Sequence, residues 1–147
     1  MTRYITIFLL VTIGTIIIDQ NIKILFVDGG YYLKGSCIDL ELHYNKGVAF
    51  SMFAFLGDNL KWIQSVLVIG IIYFVFYEGY LKKYAFPIGL IVGGAISNLY
   101  DRFIHEGVVD YVAWHCGFNF AVFNYADVMI DLGVGIILLL SFWDSRK

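Results

Sequence analysis

The 147-residue chain is 60% hydrophobic and 15% charged, with a formal net charge of -2. Soluble domains are roughly half apolar and a quarter charged, so this composition excludes an ordinary small soluble protein, whose surplus apolar surface would face water at about 25 cal/mol per Å². No basic run exists that could neutralise a row of phosphates, which excludes a nucleic-acid partner.

From the amino end, Arg3 and the apolar run to Ile18 have signal-peptide chemistry, but no small-x-small cleavage pattern follows. A retained first span entering amino end inside is therefore expected. Crossing about 30 Å of hydrocarbon takes roughly 20 helical residues. Segments about 4–26, 61–80, 85–104 and 121–143 meet or approach that length in span-sized apolar blocks rather than amphipathic stripes. The expected fold is an all-α membrane protein, one polytopic domain over residues 1–147 with four transmembrane helices. Arg3, Lys82, Lys83, Arg146 and Lys147 put both termini and the link Glu78 to Tyr84 in the cytoplasm. Lys23, Lys34, Lys46, Lys61 and Arg102 balance them on the other side, so the inward bias rests on setting Lys23 and Arg102 aside as site residues.

Between the spans lie outer loops 28–59 and 105–120. In the first, Ile38, Leu40, Leu42 and Tyr44 alternate with Asp39, Glu41, His43 and Asn45, the period of a half-buried strand. Tyr31 to Leu33, beyond the turn-forming Gly35 and Ser36, is the expected partner, making a small extracytoplasmic β-sheet on the membrane surface. Trp114, Phe118 and Phe120 of the second loop suit the interfacial belt. In the third span Gly89, Gly93, Gly94 and Ala95 offer small faces for close helix packing. Cys37 and Cys116 are too few for a disulfide framework or a zinc motif; a single bridge between them is possible but does not follow from spacing.

Ionisable groups are costly inside a bilayer, so their positions are informative. Asp19, Gln20, Asn21 and Lys23 end the first span; Asn98, Asp101 and Arg102 end the third; Asn124, Asp127 and Asp131 begin the fourth. Because the first and third helices run outward and the fourth inward, these clusters converge on one layer. Asn124, Asp127 and Asp131 share one helix face, whereas Asp19 and Lys23, at i and i+4, could simply neutralise each other. His43, His105 and His115 lack metal-ligand spacing, so neither a metal nor any other cofactor is expected. No histidine or lysine pairs clearly with Ser51 or Ser97 as a nucleophile. Carboxylates remain: two held close cannot both ionise easily, so one keeps a proton while the other activates water. On the residues alone, that reading competes with hydrogen-bonding acids between helices and with a small channel or transporter subunit using Asp19, Asp127 and Asp131. The apolar cytoplasmic halves of the spans argue against a conduction path.

Four motifs in order resemble the lipoprotein signal peptidase (signal peptidase II) family over nearly the whole chain. They are Asp19-Gln20 with Lys23; Asn45-Lys-Gly47-Val-Ala49-Phe50-Ser51; Gly93 to Arg102 followed by Gly107-Val-Val-Asp110-Tyr; and Phe123-Asn124-Tyr-Ala126-Asp127 with Ile130 and Gly133. The resemblance implies an aspartic endopeptidase of the bacterial inner membrane. Such an enzyme removes the signal peptide from prolipoproteins whose cysteine carries diacylglycerol, and globomycin-type compounds inhibit it. The catalytic aspartates would be Asp110 and Asp127. Asn98, Asp101, Arg102 and Asn124 would hold the dyad and substrate, Asn45 would lie near the site, and Asp19 and Lys23 would support it. A monomer in contact with membrane lipid is expected, with its active site on the periplasmic side.

Departures from the family pattern are Val48 for the usual alanine, Ser97 where glycine is common, Tyr111 for phenylalanine, and Asp131, which adds a carboxylate one turn below Asp127. The second outer loop is short for a lid. A presenilin-like site, with both acids inside helices and a Gly-x-Gly-Asp motif, is not matched.

Overall fold

The computed structural model describes residues 1–47, 54–57, 59–105 and 107–146; Val48, Ala49, Phe50 and Ser51 of the surface-loop motif and Lys147 lie outside them. Among the described residues, four long helices and two strands occur in the order α1 (Thr2–Val27), β1 (Ile38–Asn45), α2 (Asn59–Tyr77), α3 (Leu81–Ile104), β2 (Val108–Trp114) and α4 (Tyr125–Asp144), with a short 3-10 turn at Ala54–Leu56. The expected third span begins later than α3 because Tyr84 has non-helical backbone angles (φ -123°, ψ 21°), which separate the lysine-bearing first turn from the apolar run.

Among the described residues, three helices, α1, α2 and α4, are long and apolar enough to cross a membrane. The 24-residue α3 is long enough but more polar, and burial accounts for the difference. It packs against α1, α4 and α2 and buries Ile88, Leu90, Val92 and the polar Ser97, Asp101 and Arg102. The distribution elsewhere is inverted relative to a soluble protein. Leu10, Val66 and Leu139 are 67%, 71% and 70% exposed, while Asp19, Asp101 and Asn124 are 0% exposed. Lipid as solvent accounts for both halves of that pattern.

Small residues set the helix spacing. A Cβ on Gly93 would lie 2.8 Å from the Thr12 carbonyl oxygen of α1, and one on Gly94 would lie 2.6 Å from the Ala126 carbonyl oxygen of α4. The glycine faces expected from sequence thus admit a neighbour on each side of α3. Phe8, Val75, Leu81, Ala85, Ile88 and Val92 form the apolar cluster joining α1, α2 and α3. Lys83 and Asp144 pair the start of α3 with the end of α4.

The strand expected at Ile38 to Tyr44 is β1, but its main partner is β2, antiparallel, rather than Tyr31 to Leu33. Of that segment only Leu33 bridges to Leu40. Val108, Val109, Tyr111 and Val112 supply the β-branched and aromatic residues that favour a strand, in a stretch read from sequence as loop. Nor does β1 alternate in burial: its residues are mostly half-buried, and the pairing is irregular between Leu40 and His43. Cys37 and Cys116 form a disulfide at the far end of this ribbon, with Cα atoms 4.3 Å apart.

Candidate active site

Polar residues from α1, α3, β2 and α4 meet in one layer. At its base, the Lys23 ammonium lies 2.6 Å from Asp19 and 2.6 Å from Asp101, all three buried. Each carboxylate then reaches a different element. Asp19 accepts from the Ala126 N–H at 2.9 Å, fixing the first turn of α4. Asp101 accepts from the Val109 N–H at 3.1 Å, fixing β2 beside Asp110. The i, i+4 pair read as possible mutual neutralisation is therefore part of a triad whose acids seat both aspartate-bearing elements.

Above the triad, Lys23 donates to the Asn98 side-chain oxygen at 2.9 Å, and the Asn98 amide donates to Asp127 at 2.8 Å. Asn124 is the N-cap of α4. Its side-chain oxygen accepts from the Asp127 N–H at 2.9 Å, while the Asp127 carboxylate accepts from the Asn124 N–H at 3.1 Å, a capping box. The Asn124 amide also donates to Asp110 at 2.8 Å, with Asn98 and the Val109 carbonyl at 3.0 and 3.2 Å sharing its two hydrogens. One side chain thus touches both aspartates. The second Asp110 oxygen accepts from Asn45 of β1 at 3.1 Å. Arg102 donates to the Gly47 carbonyl. Gly47 in turn donates its N–H to the Asn45 side-chain oxygen at 3.0 Å, tying Gly47 to the end of β1.

Asp110 is 2% exposed. Burial, and then the charge of Asp127, push its pKa up to about 7, against the lowering effect of the Asn45 and Asn124 hydrogen bonds. Both aspartates line a cavity of about 510 Å³, together with Asn45, Asn98 and Arg102. Its walls continue down α2, α3 and α4 through Leu67, Val68, Ile71, Ala95, Ile130 and Asp131.

Several residues named from sequence as motif members or departures, and given no site role there, contribute to the site. Gln20 donates to Asp101 at 2.8 Å and to the Ser97 hydroxyl at 2.9 Å, and that hydroxyl donates to Asp19 at 2.7 Å. Ser97, read as a small steric departure, is thus wired into the triad. The Tyr111 hydroxyl accepts from the Tyr125 N–H at 2.9 Å, a bond phenylalanine could not make, and its ring stacks on Phe26 at 4.4 Å. Burial raises the Tyr111 pKa, so the capping group is a neutral hydroxyl. Their residue types carried no signal of these roles, because each bond depends on an element distant in sequence.

Comparisons with known proteins place the chain in a family. A family model described as signal peptidase (SPase) II matches residues 11–143. The chain is similar to the lipoprotein signal peptidase of Sulfurovum sp. (strain NBC37-1), 68% identical over 145 residues and covering 99% of each chain. It is also similar to the lipoprotein signal peptidase of Helicobacter pylori (strain ATCC 700392 / 26695), 47% identical over 131 residues, 88% of this chain and 83% of that one. Its fold resembles a bacterial membrane enzyme solved by the in meso method at 2.3 Å, with a TM-score of 0.78 and 23% identity over 94% of this chain and 88% of the other. A match along nearly the whole sequence, with relatives this similar, establishes that the chain belongs to the signal peptidase II family, that of the lipoprotein signal peptidases.

Proposed function

We propose that this protein is an aspartic endopeptidase that removes the signal peptide from diacylglyceryl-modified prolipoproteins, with Asp110 and Asp127 as its catalytic pair. The observation that carries the reading is the joint hold of Asn124 on both carboxylates at the wall of one cavity. Asp110, buried and with its pKa near neutrality, keeps the proton and acts as general acid toward the departing amine. Asp127, which accepts N–H bonds from Asn98 and from the Asn124 backbone, acts as the carboxylate that activates water. The water attacks the scissile carbonyl carbon, Asp127 takes its proton, and the C–N bond breaks as Asp110 protonates the nitrogen. Asn98, Asn124 and Arg102 order the pocket; Asn45 orients Asp110; Asp19, Lys23 and Asp101 hold the elements beneath.

In this reading the chain spans the bacterial inner membrane four times, α3 being the lipid-shielded span, with both termini cytoplasmic and the site at the periplasmic face. The Cys37–Cys116 disulfide suits that oxidising side. The protein works as a monomer, takes its substrate laterally from the lipid, and is blocked by globomycin-type compounds. A channel is less well supported, because the hydrogen-bonded polar groups gather at one end of the helices.

The test is cleavage of a diacylglyceryl-modified prolipoprotein by purified wild type, Asp110→Asn and Asp127→Asn, with folding checked by thermal melting. Each substitution is expected to lower turnover at least about a thousandfold. A folded variant with near-normal turnover sinks the dyad.

A further inference from the structure

Asp131 is the charged residue in the lower part of the cavity. It lies one turn beyond Asp127 on α4, exposed on the cavity wall, where Leu67, Val68, Ile71, Ala95 and Ile130 are apolar and Gln64 of α2 is the other polar group. Among the described residues Asp131 makes no hydrogen bond or ion pair, whereas Asp19, Asp101, Asp110 and Asp127 each have at least two partners. A carboxyl group facing an apolar wall at membrane depth is costly unless a polar ligand meets it.

Depth indicates which part of a substrate could do so. Asp131 lies four helical positions beyond Asp127, about 6 Å along the axis. An extended chain covers that distance in about two residues. If the scissile bond lies between Asp110 and Asp127, the chain descending past Asp131 is the signal-peptide side, because its amino end is cytoplasmic. We infer that Asp131, with Gln64, is a specificity determinant that selects a hydrogen-bond donor, a hydroxyl or amide side chain, two or three residues before the scissile bond. The inference rests on the proposed peptidase reading and adds to it a side-chain preference specific to this chain. An apolar wall alone would favour an aliphatic residue there, and an acceptor left unmet when a donor is replaced by its aliphatic isostere supplies the discrimination.

The experiment compares diacylglyceryl-modified prolipoproteins carrying Thr or Val, one pair for each of the two positions, cleaved by wild type, Asp131→Leu and Asp131→Asn. The quantity read is the Thr/Val ratio of kcat/KM within each enzyme, so that losses of folding or absolute turnover cancel. At one of the positions wild type is expected to favour Thr about tenfold. Asp131→Leu should lose that preference, and Asp131→Asn, which keeps an acceptor oxygen, should retain most of it. Ratios equal in wild type and Asp131→Leu at both positions overturn the inference while leaving the peptidase reading intact. Absence of wild-type cleavage of every prolipoprotein overturns the peptidase reading and this inference with it.

Discussion

Asn124 and Asp127 cap each other: the Asn124 oxygen accepts the Asp127 N–H at 2.9 Å, and the Asp127 carboxylate accepts the Asn124 N–H at 3.1 Å. The same asparagine donates to Asp110 at 2.8 Å, so helix start and dyad geometry depend on one side chain. Two substitutions separate the roles. Asn124→Ala should lose about 1 kcal/mol of stability with the cap and most of the activity. Asn124→Ser, a competent cap without an amide, should recover the stability but not the turnover. Thermal melting beside cleavage rates checks this; recovery of both by serine would show that the Asp110 contact is dispensable.

Lys23 neutralises two buried acids at 2.6 Å each. Its replacement in Lys23→Met leaves Asp19 and Asp101 without a counter-charge, a loss of about 3 to 5 kcal/mol for a broken buried pair. Adding Asp101→Asn should restore part of it, since one fewer charge is then stranded. Denaturation in detergent measures both, and a Lys23→Met protein as stable as wild type would remove the triad from the account.

Gly94 meets the carbonyl of Ala126, the residue before Asp127. Gly94→Ala therefore pushes α4 from α3, at a cost of about 1 to 3 kcal/mol for overpacking. It should depress turnover further by lengthening the 2.8 Å bond from Asn98 to Asp127. Gly135→Ala, where a Cβ meets nothing within 4 Å, is the matched control and should be neutral or slightly stabilising. Equal melting temperatures and rates for the two variants would contradict the close-packing argument.

The raised pKa of Asp110 has a signed consequence. Between pH 3.8 and about 7 the folded protein keeps a proton that the unfolded chain has released. Stability from this group therefore declines as pH rises through that window and is level above it. Turnover should fall on the alkaline side as the general acid deprotonates, with apparent values belonging to the coupled pair. Rate profiles over roughly pH 5 to 9 test the catalytic part; a rate flat through pH 7 and above would deny Asp110 the acid role. In melting profiles, Asp110→Asn should flatten this contribution to the slope.

Composition and span-length apolar blocks by themselves determined that lipid is the solvent, because no arrangement of so apolar a chain hides its surface from water. The positions of acids and amides near helix ends likewise marked the polar layer, since a bilayer tolerates them poorly elsewhere. The motifs brought Asp110 and Asp127 forward from a larger set of acids. Tertiary structure decided the rest. Helix α3, the most polar of the four, lies among the others because small residues let its neighbours approach. Strand β1 pairs with β2 rather than with the nearby Tyr31 to Leu33, since alternation marks a strand and carries no information about its partner. Ser97, Gln20 and Tyr111 gained roles through bonds to elements far away in sequence. Asn124 came to touch both aspartates because the N-terminus of α4 and the start of β2 are anchored by opposite arms of one buried triad. That closure is long-range, and periodicity within any single segment cannot encode it.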